Sequence, residues 1–124
     1  MILNAHAYGG AVVLAPAGRL DHENCDAFRA NLQPHLERAF AARHSLVFDL
    51  SGLEYISSGG LRCFMLASNE ARNRGGRIVV AAPRPVVAEI FQISRFNLIF
   101  DVHPTLRDAL AAVSPDAVAA FDAR

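Results

Sequence analysis

Two adjacent serines, Ser57 and Ser58, stand where a loop passes into a helix, next to the glycine pair Gly59 and Gly60. The first turn of a helix exposes unpaired backbone N–H groups and about half a positive charge, which favours a phosphate there. A phosphorylated serine would carry roughly −1.5 to −2 charge. The same residues are also typical of a simple helix cap followed by turn-forming glycines, and both interpretations stay open at this point.

Three other kinds of chemistry fit the sequence poorly. A serine-hydrolase nucleophile elbow needs the pattern G-x-S-x-G, and Ile56 stands where its first glycine would be. Asp21, His22 and Glu23 are consecutive residues, which rarely converge on one metal ion, and no spaced His or Cys motif accompanies them. A receiver-type phosphoacceptor at Asp49 would lack its acidic pair and its lysine. We therefore expect no enzymatic activity, no metal ion and no cofactor.

The composition limits the class of partner. The 124 residues include twelve acidic and twelve basic side chains, for a formal net charge of zero. Nucleic-acid and anionic-membrane binders need a surplus of basic residues, so we expect neither partner. Every basic residue is an arginine, which excludes a Walker-type phosphate loop and any catalytic lysine.

The cysteines and the apolar runs bear on the compartment. Cys25 and Cys63 cannot build a disulfide framework and form no C-x-x-C pair, so we expect a reducing compartment and two small buried apolar side chains. The N-terminal residues lack the basic and apolar regions of a signal peptide. No apolar run approaches the ~20 residues of a membrane helix. These features predict a cytoplasmic protein.

The spacing of apolar residues predicts an α/β domain in which strands and helices alternate after an opening hairpin. Gly9 and Gly10 permit the hairpin turn, and Pro16 should mark the edge or the end of the second strand. The predicted elements are strand 2–8, strand 11–15, a helix with an apolar stripe at residues 28, 32, 36 and 40, strand 46–50, helix 59–74, strand 77–82, a helix from 83 to 93, strand 98–102 and a helix beginning near 104.

This order predicts a mixed, mostly parallel sheet with right-handed crossovers. We expect Asn24 or Asp21 to cap the first helix, a bend in that helix at Pro34, and a loop over residues 51–58. Residues 1–113 would form a single domain. Residues 114–124 are weakly patterned and predict a frayed tail or an extra short helix.

Two signatures resemble the STAS domain of bacterial anti-sigma factor antagonists. The first is Gly18-Arg19-Leu20-Asp21 ahead of an amphipathic helix, similar to the family's Gly-x-Leu-Asp. The second runs from Asp49-Leu50-Ser51 to Ser57-Ser58-Gly59-Gly60-Leu61, similar to the family's Asp-Leu-Ser/Thr, short apolar loop and Ser-x-Gly-Leu. The element order agrees, and the similarity covers about residues 3 to 113. Ser57 and Gly59 depart from the family's common residues, which are Asp at the first position and Ser, Thr or Ala at the second.

The resemblance implies a STAS fold with four helices, in the order β-β-α-β-α-β-α-β-α, and a partner switch. An anti-sigma factor with a serine-kinase fold, or a related switch kinase, would bind the unphosphorylated chain and release it after phosphorylating Ser58, with Ser57 as the alternative acceptor. A PP2C-type phosphatase would reset the switch, and Asp21 would lie near the nucleotide-binding face of the kinase.

The expected partner-binding residues lie around the serines and on the second and third helices: Asp21, Ser57, Gly59, Gly60, Arg62, Arg84 and Phe91. Phe64 is expected in the core instead. The chain would be a monomer or a weak dimer. The alternative function is a STAS adaptor that is never phosphorylated and serves as a permanent subunit of a transport or signalling complex.

Overall fold

A computed structural model describes residues 2–124, which form six strands, five α-helices and one 3₁₀ turn. The hairpin at Gly9 and Gly10 is confirmed, and Gly9 adopts a positive φ of 54° there. In chain order the elements are β1 (Ile2–Tyr8), β2 (Ala11–Leu20), α1 (Cys25–Ala41), β3 (Ser45–Asp49), β4 (Leu53–Ile56), α2 (Ser58–Asn73), β5 (Ile78–Ala81), α3 (Pro85–Ile93), the 3₁₀ turn (Phe96–Leu98), β6 (Asp101–His103), α4 (Leu106–Val113) and α5 (Pro115–Asp122).

The sheet is mixed and mostly parallel, as predicted. Its order is β1-β2-β3-β5-β6, and β4 pairs with the far end of β2. Among the strands of residues 2–124, β1 and β2 form the one antiparallel pair, and the other four pairs are parallel. Such parallel pairs need crossover connections, which α1, α2 and α3 supply. The C-terminal ends of β2 and β4 therefore meet at one edge of the sheet, directly before α1 and α2.

Alternating side chains along the strands divide the core into two layers. The larger layer holds Leu14, Phe48 and Val80 under α1, α2 and α3, and Phe64 packs edge-on against Phe48 with ring centroids 4.7 Å apart. The smaller layer holds residues such as Val47 under α4 and α5. Phe64 thus lies in the core, as predicted.

Two strand predictions fail in the region around Pro16 and the loop after β3. The predicted end of β2 at residue 15 is wrong, since the strand continues to Leu20. Pro16 does lie at a local edge, the other predicted alternative, because β3 has ceased to pair with β2 there and β4 has not yet begun. Residues 53–56, predicted as part of a loop, form β4 beside the end of β2. The Arg19 guanidinium lies 4.5 Å from the centroid of the Tyr55 ring across this pair.

The C-terminal third also differs from the predicted pattern. Arg95 adopts a positive φ of 63°, the 3₁₀ turn follows it, and the last strand begins only at Asp101 rather than at residue 98. The segment after residue 113 forms α5, which is the extra short helix predicted as the alternative to a frayed tail, so residues 2–124 hold five α-helices rather than four. Phe121 packs edge-on against Tyr8 with ring centroids 5.5 Å apart.

Candidate functional site

The two adjacent serines have different structural roles. Ser57 is the N-cap of α2, and its Oγ accepts a hydrogen bond from the backbone N–H of Gly60 at 3.2 Å. The Ser57 N–H in turn donates to the Leu20 carbonyl at 2.9 Å, which fixes the start of α2 to the end of β2. Ser58 is the first residue of the helix, and its side chain is exposed. The capping role therefore falls on Ser57, while the Ser58 hydroxyl is accessible beside the positive end of the helix.

The glycines after the serines also differ. Gly60 is buried, and a Cβ there would lie 2.8 Å from both Ile56 Cγ1 and Leu20 Cγ. Gly60 thus allows α2 to approach the ends of β2 and β4, and its burial removes it from the predicted set of direct partner contacts. Gly59 is half-buried, and a Cβ there would meet its nearest neighbours only at 3.6 to 3.8 Å.

The loop between β2 and α1 lies beside this helix start. A Cβ on Gly59 would lie 3.8 Å from His22 Cα, which places the loop next to the first turn of α2. Asp21 is half-buried, and its Oδ1 accepts hydrogen bonds from the backbone N–H groups of Glu23 and Asn24. Asn24 occupies the N-cap position of α1, but its Oδ1 accepts from the Asp21 N–H instead of the helix. The predicted side-chain cap of α1 is therefore wrong, because both side chains stabilise the loop.

The predicted partner residues on α2 and α3 are only partly available at the surface. Arg62 is exposed on α2. Arg84 is also exposed, and its Nε donates to the Ser51 carbonyl at 2.8 Å, which joins the start of α3 to the loop before β4. Phe91 is only 1% exposed, because α3 packs Val87 and Phe91 into the core. The prediction that Phe91 lies on a partner face is wrong.

Apolar side chains that the sequence analysis did not single out lie exposed near this face. Ser58 lies at a surface groove of about 390 Å³ that is also lined by Leu61, Arg62, Met65, Leu66 and Phe96. Ile93 and Leu98, on either side of Phe96 in sequence, are 77% and 76% exposed. Ile93 and Leu98 flank Arg95, which adopts a positive φ of 63° between α3 and the 3₁₀ turn; no sequence signal marks this turn, because arginine rarely adopts that conformation.

Within residues 2–124, every helix is too short or too polar to cross a membrane. The same residues place no group of three His, Cys, Asp or Glu side chains where they could hold a metal ion.

Comparison with known proteins shows the family. The STAS domain model matches residues 3–109. BtrV of Bordetella bronchiseptica, which is named as an anti-sigma factor antagonist, is 31% identical over 112 residues, covering 90% of this chain and 94% of its own. The chain belongs to the STAS domain family, as its two signatures predict.

Solved structures agree with this assignment. An anti-sigma factor antagonist from Mycobacterium paratuberculosis superposes with a TM-score of 0.76 at 25% identity, covering 90% of this chain and 92% of its own. The Bacillus cell fate determinant SpoIIAA in its phosphorylated form has the same fold, with a TM-score of 0.65 at 20% identity, covering 90% of this chain and 98% of its own.

Proposed function

We propose that the chain is an anti-sigma factor antagonist that acts by partner switching. It binds a serine-kinase anti-sigma factor, or a related switch kinase, while Ser58 is unmodified, and it dissociates once Ser58 is phosphorylated. The observation that carries the proposal is the accessible Ser58 hydroxyl at the first position of α2, with the neighbouring Ser57 hydroxyl engaged as the cap. Relatives named as anti-sigma factor antagonists support the role, and SpoIIAA is a protein of this fold solved in a phosphorylated form.

The position of Ser58 supplies a physical basis for the switch. A phosphate there lies at the helix N-terminus, which stabilises the added charge without a rearrangement of the fold. The same phosphate adjoins the groove lined by Leu61, Met65 and Phe96, which offers apolar surface to a partner. Enclosing a dianion in that interface costs desolvation and repulsion, and about 3 kcal/mol is enough to lower the affinity by roughly 100-fold.

The remaining contacts proposed for the kinase surround Ser58. Asp21 lies in the loop beside the start of α2, and Arg62 lines the groove. Arg84 extends the surface towards the start of α3. We assign these three charged side chains to the rim of the interface, where they would govern the association rate and its salt dependence.

Phosphorylation by the cognate switch kinase tests the proposal. Trypsin cleaves after Arg43 and Arg62, so one peptide, residues 44–62, contains both candidate serines and its fragmentation separates them. We expect phosphate on Ser58 in the wild type, no phosphate on this peptide in Ser58→Ala, and continued phosphorylation of Ser58 in Ser57→Ala. Phosphate on Ser57 alone would contradict the assignment. If Ser58→Asp still assembles with the partner at wild-type affinity, the permanent adaptor is the better description.

A further inference from the structure

The two cysteines of the chain meet where α1 begins and α2 passes. Cys25 is the first residue of α1, and Cys63 lies in the second turn of α2. The Cys63 Sγ is 3.7 Å from the Cys25 carbonyl oxygen, and the Cys25 thiol donates to the His22 carbonyl at 3.6 Å. The pair is 38 residues apart in sequence, so only the fold brings it together.

The two thiols differ in access. Cys25 is half-exposed, whereas Cys63 is buried. Both line a surface cavity of about 280 Å³ together with Asp26, Arg29, Gly59, Arg62 and Leu66. Burial, together with the neighbouring Cys25 thiol, raises the pKa of Cys63 to about 11. Cys63 therefore stays protonated at neutral pH, and a small oxidant that enters the cavity meets Cys25 as the more accessible nucleophile.

We propose that Cys25 and Cys63 form a disulfide modification site whose oxidant is a hydroperoxide. In the first step the Cys25 sulfur attacks the peroxide, the O–O bond breaks, and the products are a Cys25 sulfenic acid and the alcohol or water derived from the peroxide. In the second step the Cys63 sulfur attacks the Cys25 sulfur, the S–O bond breaks, and the departing hydroxide takes the Cys63 proton to form water. Two thiols and one hydroperoxide thus give one disulfide, one alcohol or water molecule, and one further water. A thiol reductant reverses the reaction by exchange.

The bond would join the start of α1 to α2 immediately beside Gly59, whose Cβ position lies 3.8 Å from the Cys25 Sγ. It would therefore fix the loop at residues 21–24 against the helix turn that carries Ser58. The modification itself does not depend on phosphorylation, so its test is independent of the proposed function.

The test uses the full chain, hydrogen peroxide, and alkylation of the remaining thiols under denaturing conditions. Trypsin releases Cys25 in peptide 20–29 and Cys63 in peptide 63–72. We expect these peptides to be recovered joined, from a monomeric chain, at two hydrogens less than the sum of the two reduced peptides apart from any oxygen on methionine, and to separate on reduction. Because Met65 in the second peptide also takes up oxygen from peroxide, the link between the peptides is the readout rather than an added oxygen.

Two variants complete the test. Cys25→Ser and Cys63→Ser, each checked for folding by circular dichroism, should give no intramolecular link. In Cys63→Ser, Cys25 should accumulate as sulfenic or sulfinic acid, because its resolving thiol is gone. The proposal is overturned if the oxidised wild type carries sulfinic acid on Cys25 with Cys63 still alkylatable, if both thiols stay unmodified, or if the link joins two copies of the chain.

Discussion

Replacing Gly60 by alanine tests how the start of α2 is seated on the sheet. The new methyl group would lie 2.8 Å from both Ile56 Cγ1 and Leu20 Cγ, and 3.0 Å from Leu20 Cδ2. Both neighbours are buried and have no solvent to move into, so the overpacking should cost about 1–3 kcal/mol. Alanine recovers up to about 1 kcal/mol of helix propensity over glycine. We therefore expect Gly60→Ala to lower the free energy of unfolding by about 0–3 kcal/mol, and a matched glycine variant is needed to separate the overpacking from the propensity gain.

Gly59→Ala is the matched control, because it lies in the same helical turn. A Cβ at residue 59 would have ordinary contacts at 3.6 to 3.8 Å, so the free energy of unfolding of Gly59→Ala should be unchanged or higher by up to about 1 kcal/mol. Urea denaturation measures the free energy of unfolding of each variant. The helix-propensity gain is similar in both and largely cancels in the difference between them, which therefore reports the overpacking at Gly60. Equal stability of the two variants would refute the close packing of α2 on β2 and β4.

Three further predictions concern stability. Ser57→Ala should lower the free energy of unfolding by about 1 kcal/mol, because the Gly60 N–H loses its cap, whereas exposed Ser58→Ala should not; urea denaturation checks both. The pKa of Cys63 is raised from 9.0 to about 11 in the folded chain, so the unfolded chain loses this proton first as the pH rises. The free energy of unfolding of the wild type should therefore fall by roughly 1–2 kcal/mol between pH 9 and pH 11. In Cys63→Ala the decline over the same range should be smaller by roughly 1–2 kcal/mol. Truncation after Val113 should lower the free energy of unfolding by at least about 2 kcal/mol and lower the melting temperature with it, since it removes the buried Ala117 and the contact of Phe121 with Tyr8. An unchanged melting curve would show that α5 does not stabilise the fold.

The parts of the fold that the sequence predicted are those with local signals. The Gly9-Gly10 turn and the continuous apolar run of β3 could be identified from neighbouring residues alone, and α2 begins at Ser58, one residue before its predicted start. β4 has four residues, and its buried positions, Leu53 and Ile56, do not alternate. That strand exists because it pairs with the end of β2, a partner distant in sequence.

Within the candidate site, the signatures pointed to the segment from β4 to the start of α2, but they did not show which of its serines caps the helix. Which serine caps the helix depends on a shift of one residue at its N-terminus, which the sequence pattern does not resolve. Phe91 was predicted at the surface, although Val87 lies four residues before it and indicates a shared buried face. The meeting of Cys25 and Cys63 has no sequence signal, because it follows from how α1 and α2 pack.

Partner switching is tested most directly by the affinity of the switch kinase for two forms of the chain, unmodified and phosphorylated on Ser58. Isothermal titration calorimetry with each purified form gives both dissociation constants under one set of conditions. Partner switching requires phosphorylation to weaken binding by at least about 100-fold, corresponding to roughly 3 kcal/mol in the interface beside the groove. Equal affinity of the two forms would contradict the partner switch.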